Sequence, residues 1–142
     1  MSQMPSDMNA FNRQIIEEFR ATRGQLSGRM AGRQVLLLTT TGARTGEPRT
    51  AVVGYRKAGD IFVVIASANG AATDPAWYVN LLANPTATIE VGPEKLNVRA
   101  RTLKGKERDK LAKLVEYLEP QQKLTSRKIP VLALEPVKPR KT

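Results

Sequence analysis

The chain has 142 residues, no cysteine and no histidine, and its 23 Lys and Arg against 13 Asp and Glu give a net charge of +10. The length is that of one ordinary domain. Disulfides, thiolate metal sites and histidine-based catalysis or metal binding are excluded. If the chain is an enzyme, we expect a bound cofactor to carry the chemistry, with no catalytic side chain and no metal.

The positive charge favours an anionic partner, such as a phosphorylated small molecule, a lipid headgroup or a nucleic acid. The chain has only seven aromatic residues, three Phe, three Tyr and one Trp, and they do not interleave with basic ones. Stacking on nucleic-acid bases needs such aromatics, so we expect no nucleic-acid partner.

The N-terminal segment places Met8, Phe11, Ile15 and Phe19 at helical spacing between charged residues. This pattern predicts an amphipathic helix over residues 8–22, preceded by a flexible terminus at 1–7. Packing on the domain is one use of its apolar face; peripheral contact with an anionic membrane and a role as a mobile lid are the alternatives. We see no secretory signal and no apolar run of roughly 20 residues, so we expect a cytoplasmic protein.

Runs rich in β-branched residues predict strands at 35–41, 50–56 and 61–66, and the glycine-containing turn at 57–60 predicts an antiparallel hairpin between the second and third. Asp74 and Pro75 then predict the N-cap and first position of a short helix, AWYVNLL, which Asn84-Pro85 ends.

Two alternating runs, TATIEV and LNVRARTL, flank Gly92-Pro93 and predict another hairpin. Leucines at helical spacing predict a helix over 106–118, and IPVLALEP predicts a last strand before a flexible tail at 137–142. Five or six strands with peripheral helices make one α+β domain over residues 8–136, most naturally a small antiparallel barrel.

The first candidate site is VLLLTTTGARTGEPRT, residues 35–50. Gly42 and Gly46 allow positive φ, so backbone amides can converge on one point. Arg44 and Arg49 carry charged forks suited to phosphate or carboxylate, and Thr45 adds a hydroxyl. A solvent-exposed hairpin tip has the same local pattern, so these residues alone leave both interpretations open.

The second candidate site begins where a strand ends at Ala66-Ser67 and small residues continue to Ala72. Small side chains let a planar ligand approach the backbone amides closely. Trp77 lies on the first turn of the following helix, and Asn80 is one turn further on the same face. Trp77 as a plain core anchor is the alternative.

Taken together, LLLTTTGARTGEPRT, VVIAS, DPAWYVNLLANP and TSRKIPVLALEP resemble the deazaflavin-dependent nitroreductase family. That family belongs to the flavin and deazaflavin oxidoreductases built on the split β-barrel, and the resemblance extends from Phe11 to Pro136. It implies a site for coenzyme F-420, an 8-hydroxy-5-deazaflavin. Arg44 and Arg49 would receive its phosphate and oligoglutamate tail, and Thr45 and Gly46 would shape the turn.

The resemblance also implies which residues flank the deazaflavin ring. They are Val52, Val53, Gly54, Ala66, Ser67, Ala68, Ala76, Trp77 and Asn80. The implied function is hydride transfer from the reduced coenzyme to an electron-poor small molecule such as a quinone, an enone or a nitro compound. An FMN-binding reductase and a non-catalytic carrier of the cofactor or of a hydrophobic anion are the alternatives.

The chain departs from the family pattern at several positions. Many relatives have a basic residue where Ala43 stands, some have a lysine at the position of Ala68, and some a tyrosine at the position of Gly54. The segment before TSR, VEYLEPQQKL, is short and has Tyr117 as its one aromatic residue. The resemblance alone therefore does not imply nitroreductase activity.

Overall fold

The computed structural model describes residues 4–68 and 72–137. The helices are α1 (Met4–Thr22), α2 (Ala76–Ala83), α3 (Gly105–Ala112) and α4 (Leu118–Gln122), with a 3-10 turn at Gly28–Met30. The strands are β1 (Val35–Thr41), β2 (Pro48–Gly54), β3 (Arg56–Ala58), β4 (Ile61–Ile65), β5 (Thr86–Val91), β6 (Glu94–Thr102) and β7 (Val131–Pro136).

The seven strands form one antiparallel sheet in the order β2-β1-β5-β6-β7-β4-β3. Its two edge strands, β2 and β3, follow each other in the chain and are separated only by Tyr55. One residue spans at most about 3.6 Å, so the sheet has to curl until its edges meet. β2 contacts β4 across this junction, here called the seam. The α+β split β-barrel is confirmed, with seven strands rather than five or six.

The strand predicted over residues 50–56 is two strands that lie on opposite edges of the sheet. β2 pairs with β1, whereas β3 pairs with β4 around the turn at Gly59-Asp60. The predicted hairpin is therefore right for the last part of that segment and wrong for the first. The amide of Tyr55 still bonds to the carbonyl oxygen of Gln34 beside β1, at 3.2 Å, and the chain changes edge at the next residue.

Alternate residues of the strands point into the barrel and fill its interior, as the pleat requires. The buried residues of this inner cluster are Leu36, Leu38, Val53, Phe62, Val64, Ala66, Leu81, Ile89, Val98, Ala100, Leu132 and Leu134. Leu81 is the contribution of α2, which thereby closes one end of the barrel.

β4 and β7 are apolar on both faces because α3 and the segment after it cover their outer face. The outer cluster comprises Val63, Ile65, Leu103, Leu111, Val115, Ile129, Val131 and Ala133. Burial on both sides explains why IFVVI and VLAL are continuous apolar runs and not alternating ones.

The helix predicted over residues 106–118 is wrong in its second half, because α3 ends at Ala112 and α4 begins at Leu118. Pro120 lies in the first turn of α4, where its missing N–H has no intrahelical partner to lose. In one continuous helix its ring would meet the carbonyl of Glu116, four residues earlier. The break also buries Val115 in the outer cluster.

α2 ends before Asn84-Pro85 as predicted, but the predicted N-cap is wrong. Pro75 occupies that position and no side chain caps the helix. Asp74 instead forms an ion pair with Arg127, with 2.9 Å between Oδ1 and Nη1. Both groups of this pair are charged, whereas a backbone amide would be a neutral donor, so the tertiary partner prevails over the local one.

α1 begins at Met4, four residues before the predicted start, and packs on the sheet through buried Ile15 and Phe19. Arg20 adds two bonds to the carboxylate of Glu90 on β5, at 3.0 and 2.8 Å. For the described side chains of α1, the packing interpretation is confirmed. None of the helices in the described part of the chain is long and apolar enough to cross a membrane.

Gly24→Ala should destabilise the protein, because its φ is +92° and an added Cβ would lie 2.9 Å from the Cα of Gly92. We expect the free energy of unfolding to fall by about 2–4 kcal/mol. Gly59→Ala is the matched control, with φ +61° and open space around the added Cβ. It should cost only about 1 kcal/mol. Equal losses in urea unfolding would contradict the role of the Gly24–Gly92 contact.

Candidate functional site

A cavity of about 810 Å³ opens at the seam. Its walls come from the loop before β1, the ends of β2 and β4, the first turn of α2 and the α3–α4 connection. The lining residues are Met30, Gly32, Arg33, Gln34, Val35, Val52, Val53, Gly54, Arg56, Ile65, Ser67, Ala68, Trp77, Glu116, Tyr117 and Gln121. This volume is in the range of pockets that hold a cofactor or a drug-sized ligand.

One wall of the cavity brings together most of the residues that the family resemblance implies for the ring. They are Val52, Val53, Gly54, Ser67, Ala68 and Trp77. Ala66 is fully buried beside them, and Ala76 is exposed and is not among the lining residues. The segments that meet here are distant in sequence, and the closure of the sheet at the seam places them together.

Ser67 and Ala68, here called the ledge, follow the end of β4. Both have small side chains, so a ligand in the cavity can reach their backbone. Ala68 has φ +48°, in the left-handed region that residues with a Cβ seldom adopt. Residues 69–71, which continue the predicted run of small residues, lie outside the described part of the chain.

Trp77 satisfies both interpretations that its sequence context left open. It packs against the inner cluster and stands edge-on to Tyr78, with ring centroids 6.5 Å apart and planes at 84°. The same side chain lines the cavity. A core contact on one side fixes the orientation of the indole surface that a ligand would meet on the other.

Gly54 and Tyr117 share one small volume at the floor of the cavity. A Cβ on Gly54 would lie 2.8 Å from the hydroxyl oxygen of Tyr117. That hydroxyl is buried and, like Oε1 of Gln121, has no hydrogen-bond partner among the described residues. Burial raises the pKa of Tyr117, and the nearby Arg56 opposes this only in part. The phenol is therefore protonated at neutral pH and can donate a hydrogen bond to a ligand.

The polar end of the cavity is one that the sequence did not predict. Arg56 forms a bidentate pair with Glu116, its Nε 3.0 Å from Oε1, and its guanidinium lies 5.0 Å from the ring centre of Tyr117. The hydrogen bond to Glu116 raises the pKa of Arg56. These partners are 60 positions apart, so local pattern holds no signal for them; only Tyr117 stood out, as an isolated aromatic residue.

The turn between β1 and β2 uses its own amides internally. The amide of Gly42 donates to the carbonyl of Glu47 at 2.8 Å, and that of Gly46 donates to the carbonyl of Gly42 at 2.9 Å. The amide of Glu47 donates to Oγ1 of Thr45 at 3.2 Å. Gly46 has the expected positive φ of +73° and Gly42 does not. The predicted convergence of backbone amides on an anion is therefore wrong for these three groups.

The side chains of the same turn remain available to a ligand. Arg44, Thr45 and Arg49 are exposed, and within the described residues neither arginine has a carboxylate within 4.0 Å. None of the three lines the seam cavity, whereas Gly46 borders a second groove of about 510 Å³ beside β1 and β5.

Asn80 joins the turn to α2 and does not line the seam cavity. Its Nδ2 donates to Oγ1 of Thr40 at 3.0 Å, and its Oδ1 accepts from the amide of Ala43 at 2.9 Å. The bond to Thr40 is buried, and the bond from the amide of Ala43 is partly buried. Its role in this structure is to fix the turn relative to the helix that carries Trp77.

Arg127 contacts the ledge from outside the cavity. Its Nη2 donates to the carbonyls of Ala66 and Ser67, at 3.1 and 2.9 Å, and its Nη1 to Asp74. The TSR motif contains this arginine, but its spacing gives no indication of which residues it contacts.

Comparison with known proteins agrees with this architecture. The family model described as F420H2-dependent quinone reductase matches residues 11–136. An F420H2-dependent quinone reductase of Mycobacterium tuberculosis is 38% identical over 125 residues, which cover 82% of this chain and 83% of that protein.

Two solved structures share both fold and sequence with the chain. An F420-H2 dependent reductase, FDR-A, superposes with a TM-score of 0.67 at 34% identity, covering 72% of this chain and 95% of that one. A domain-swapped dimer superposes with a TM-score of 0.69 at 32% identity, covering 92% and 99%. The chain therefore belongs to the F420H2-dependent quinone reductase family.

Proposed function

We propose that this protein reduces a quinone with the reduced form of coenzyme F-420. The observation that carries the proposal is the seam cavity, whose lining combines the small residues Gly54, Ser67 and Ala68 with Tyr117 and Gln121, each of which has a buried polar atom without a partner in the described chain. Membership of the family supplies the coenzyme and the acceptor class. An enone or a nitro compound is an acceptor of the same electron-poor kind.

The residues present fit a deazaflavin. A flat ring needs a wall without bulky side chains, and Gly54 and the ledge provide one. Trp77 offers an aromatic surface that is fixed by its core contacts. The unpartnered hydroxyl of Tyr117 offers a donor to an oxygen of the ligand.

The turn between β1 and β2 fits the anionic tail of the coenzyme through side chains. Arg44 and Arg49 are exposed and hold no carboxylate among the described residues, so their charged forks can bind phosphate or carboxylate. Asn80 fixes the turn, which sets the direction from which these arginines approach.

The reaction moves two electrons and two protons from F420H2 to the quinone and leaves the oxidised coenzyme and a hydroquinone. The bound coenzyme supplies the hydride. The protein binds both partners, orients them and limits water between them. Tyr117 keeps its proton at neutral pH and donates a hydrogen bond to an acceptor oxygen at the polar end. The hydroquinone takes its second proton from solvent, to which the coenzyme releases one.

The proposal is tested by anaerobic mixing of the protein with F420H2 and a short-chain naphthoquinone. We expect the absorbance of the oxidised coenzyme to recover in proportion to the quinone added. Coenzyme binding without turnover, over a panel of quinones and enones, would indicate a carrier. Tight binding of FMN together with no binding of F-420 would replace the proposed cofactor.

Peripheral contact with an anionic membrane stays a prediction, motivated by the +10 charge and by the partition of quinones into lipid. Since Ile15 and Phe19 are buried on the sheet, the exposed Val79 and Leu82 of α2 are the better apolar contact. Sedimentation with anionic vesicles at low salt, compared with neutral vesicles, measures it, and equal recovery in the two pellets would contradict it.

Removing Arg44 and Arg49 should weaken coenzyme binding through its tail. For each single change to Ala we expect the Kd of F-420 to rise about tenfold, the loss of one charge-assisted contact. The same ring without phosphate and glutamates should bind both variants as it binds the unchanged protein. Fluorescence titration of the two ligands against the unchanged protein and both variants gives the six constants.

Arg99→Ala is the matched control. Arg99 is exposed and lies on β6, and its replacement removes the same charge as the changes in the turn. Its Kd for the full coenzyme should change less than twofold, as expected for a screened, distant charge. If Arg44→Ala and Arg49→Ala bind the full coenzyme normally, the tail lies elsewhere.

Gly54→Ala should disturb the acceptor side of the cavity, because its Cβ would lie 2.8 Å from the hydroxyl oxygen of Tyr117. We expect kcat/KM for the quinone to fall about tenfold, as the phenol is displaced. Adding Tyr117→Phe removes the hydroxyl that the new methyl meets.

The double variant should therefore be no less active than Tyr117→Phe alone, and steady-state kinetics with thermal unfolding on all three variants measure this coupling. Independent, additive losses would show that Gly54 and Tyr117 do not meet in solution.

A further inference from the structure

Arg127 binds the backbone of the ledge from outside the cavity. Its guanidinium bonds to the carbonyl oxygens of Ala66 and Ser67, at 3.1 and 2.9 Å, and forms the ion pair with Asp74. The arginine side chain is only 17% exposed and is not among the residues that line the seam cavity. Among the described residues, this planar group thus binds three acceptors, and it does so outside the lining of the cavity.

The two hydrogen bonds to Arg127 also determine the direction of two backbone N–H groups, because the peptide unit is planar. The described residues include no cis peptide, and in a trans peptide the C=O and the N–H point in opposite directions. The N–H of Ser67 is therefore directed opposite to the carbonyl of Ala66, and the N–H of Ala68 opposite to the carbonyl of Ser67. With both carbonyls turned to Arg127, both N–H groups are turned away from it, to the side that the cavity occupies.

The two amides are also free to bind a ligand. Within residues 4–68 and 72–137, neither the amide of Ser67 nor that of Ala68 donates to a protein acceptor. Both residues line the cavity. A backbone N–H that is withheld from water needs a partner, and a ligand acceptor atom would provide it.

The backbone of the ledge needs a restraint to keep this arrangement. Ala68 has φ +48°, which is unfavourable for a residue with a Cβ. Rotation about the N–Cα bond of Ala68 would turn the peptide unit between Ser67 and Ala68. The hydrogen bond from Arg127 to the carbonyl of Ser67 opposes such a rotation.

Arg127 lies on a loop that hydrogen bonds hold in place. Gln122 donates to the carbonyl of Arg127 at 2.7 Å and accepts from the amide of Ile129 at 2.9 Å. Arg108 of α3 donates to the carbonyl of Ile129 at 2.8 Å. These bonds, together with burial of Ile129 in the outer cluster, tie the loop to the barrel.

We propose that Arg127 is a positioning residue which, by holding the carbonyls of Ala66 and Ser67, presents the amides of Ser67 and Ala68 as a pair of donors to an acceptor atom on the edge of a flat heterocyclic ligand. The inference rests on the proposed function, because it takes the deazaflavin as that ligand. Asp74 completes the arrangement by fixing the guanidinium plane.

The test follows the two amides directly by nitrogen-15 NMR of the full chain. On addition of oxidised F-420, the amide protons of Ser67 and Ala68 should shift downfield in the unchanged protein. In Arg127→Gln the downfield shifts should be lost and the Kd should rise about tenfold, as for the loss of two hydrogen bonds. Arg127→Lys should restore part of the shift, since an ammonium donates to these carbonyls without the planar fork.

Arg101→Gln is the matched control. Arg101 also pairs with two acceptors, the carboxylates of Glu107 and Glu135, and neither it nor they line the seam cavity. This variant should lose a similar ion-pair contact and keep both amide shifts and the Kd. Thermal unfolding of both variants separates a general loss of stability from a loss of ledge geometry.

Unchanged amide shifts and Kd in folded Arg127→Gln would overturn the inference. If that variant does not fold, Arg127→Lys and Asp74→Asn decide: retention of the full shifts in both overturns it, and reduced shifts in both support it. Failure of the proposed function is distinct, because it would appear in the unchanged protein, either as no binding of F-420 or as binding without turnover.

Discussion

The chain crosses from one edge of its sheet to the other within a single residue, Tyr55, and this constraint orders the rest of the molecule. It forces the sheet to curl, so the end of β2 lies beside β4 instead of at a free edge. A cavity results where the two edges meet, lined by elements that are far apart in sequence. Arg56, one residue beyond the crossing, then reaches Glu116 and ties the α3–α4 connection over the same seam.

Hydrogen-bond donors are distributed differently from what glycine content indicates. In the glycine-rich turn, the amides of Gly42, Gly46 and Glu47 donate hydrogen bonds within the turn itself. The groups left to bind an anion there are the arginine side chains. The ledge has no glycine among its two residues, yet its amides have no protein acceptor in the described chain. In the proposed function, the arginine side chains of the turn would receive the charged tail, and the open amides of the ledge would hold the ring in one orientation.

Local signals predicted the elements that depend on neighbouring residues, and they were weaker wherever distant partners decide. Proline after Asp74 and the Asn84-Pro85 end located α2, and the small residues after β4 located one wall of the cavity. The division of the predicted 50–56 strand depends on which edge each half pairs with, which no local pattern contains. Asp74 was predicted as a cap because its partner, Arg127, is 53 positions away.

The contact between Gly54 and Tyr117 makes two distant positions one steric unit. A larger side chain in place of Gly54 on β2 requires a smaller one in place of Tyr117 in the α3–α4 connection. A larger side chain at the position of Tyr117 likewise requires a small residue at position 54. Because the connection lies outside the inner cluster, such an exchange leaves the barrel unchanged. Paired changes at these two positions would thus reshape this end of the cavity, so that one scaffold would admit ligands of different outline.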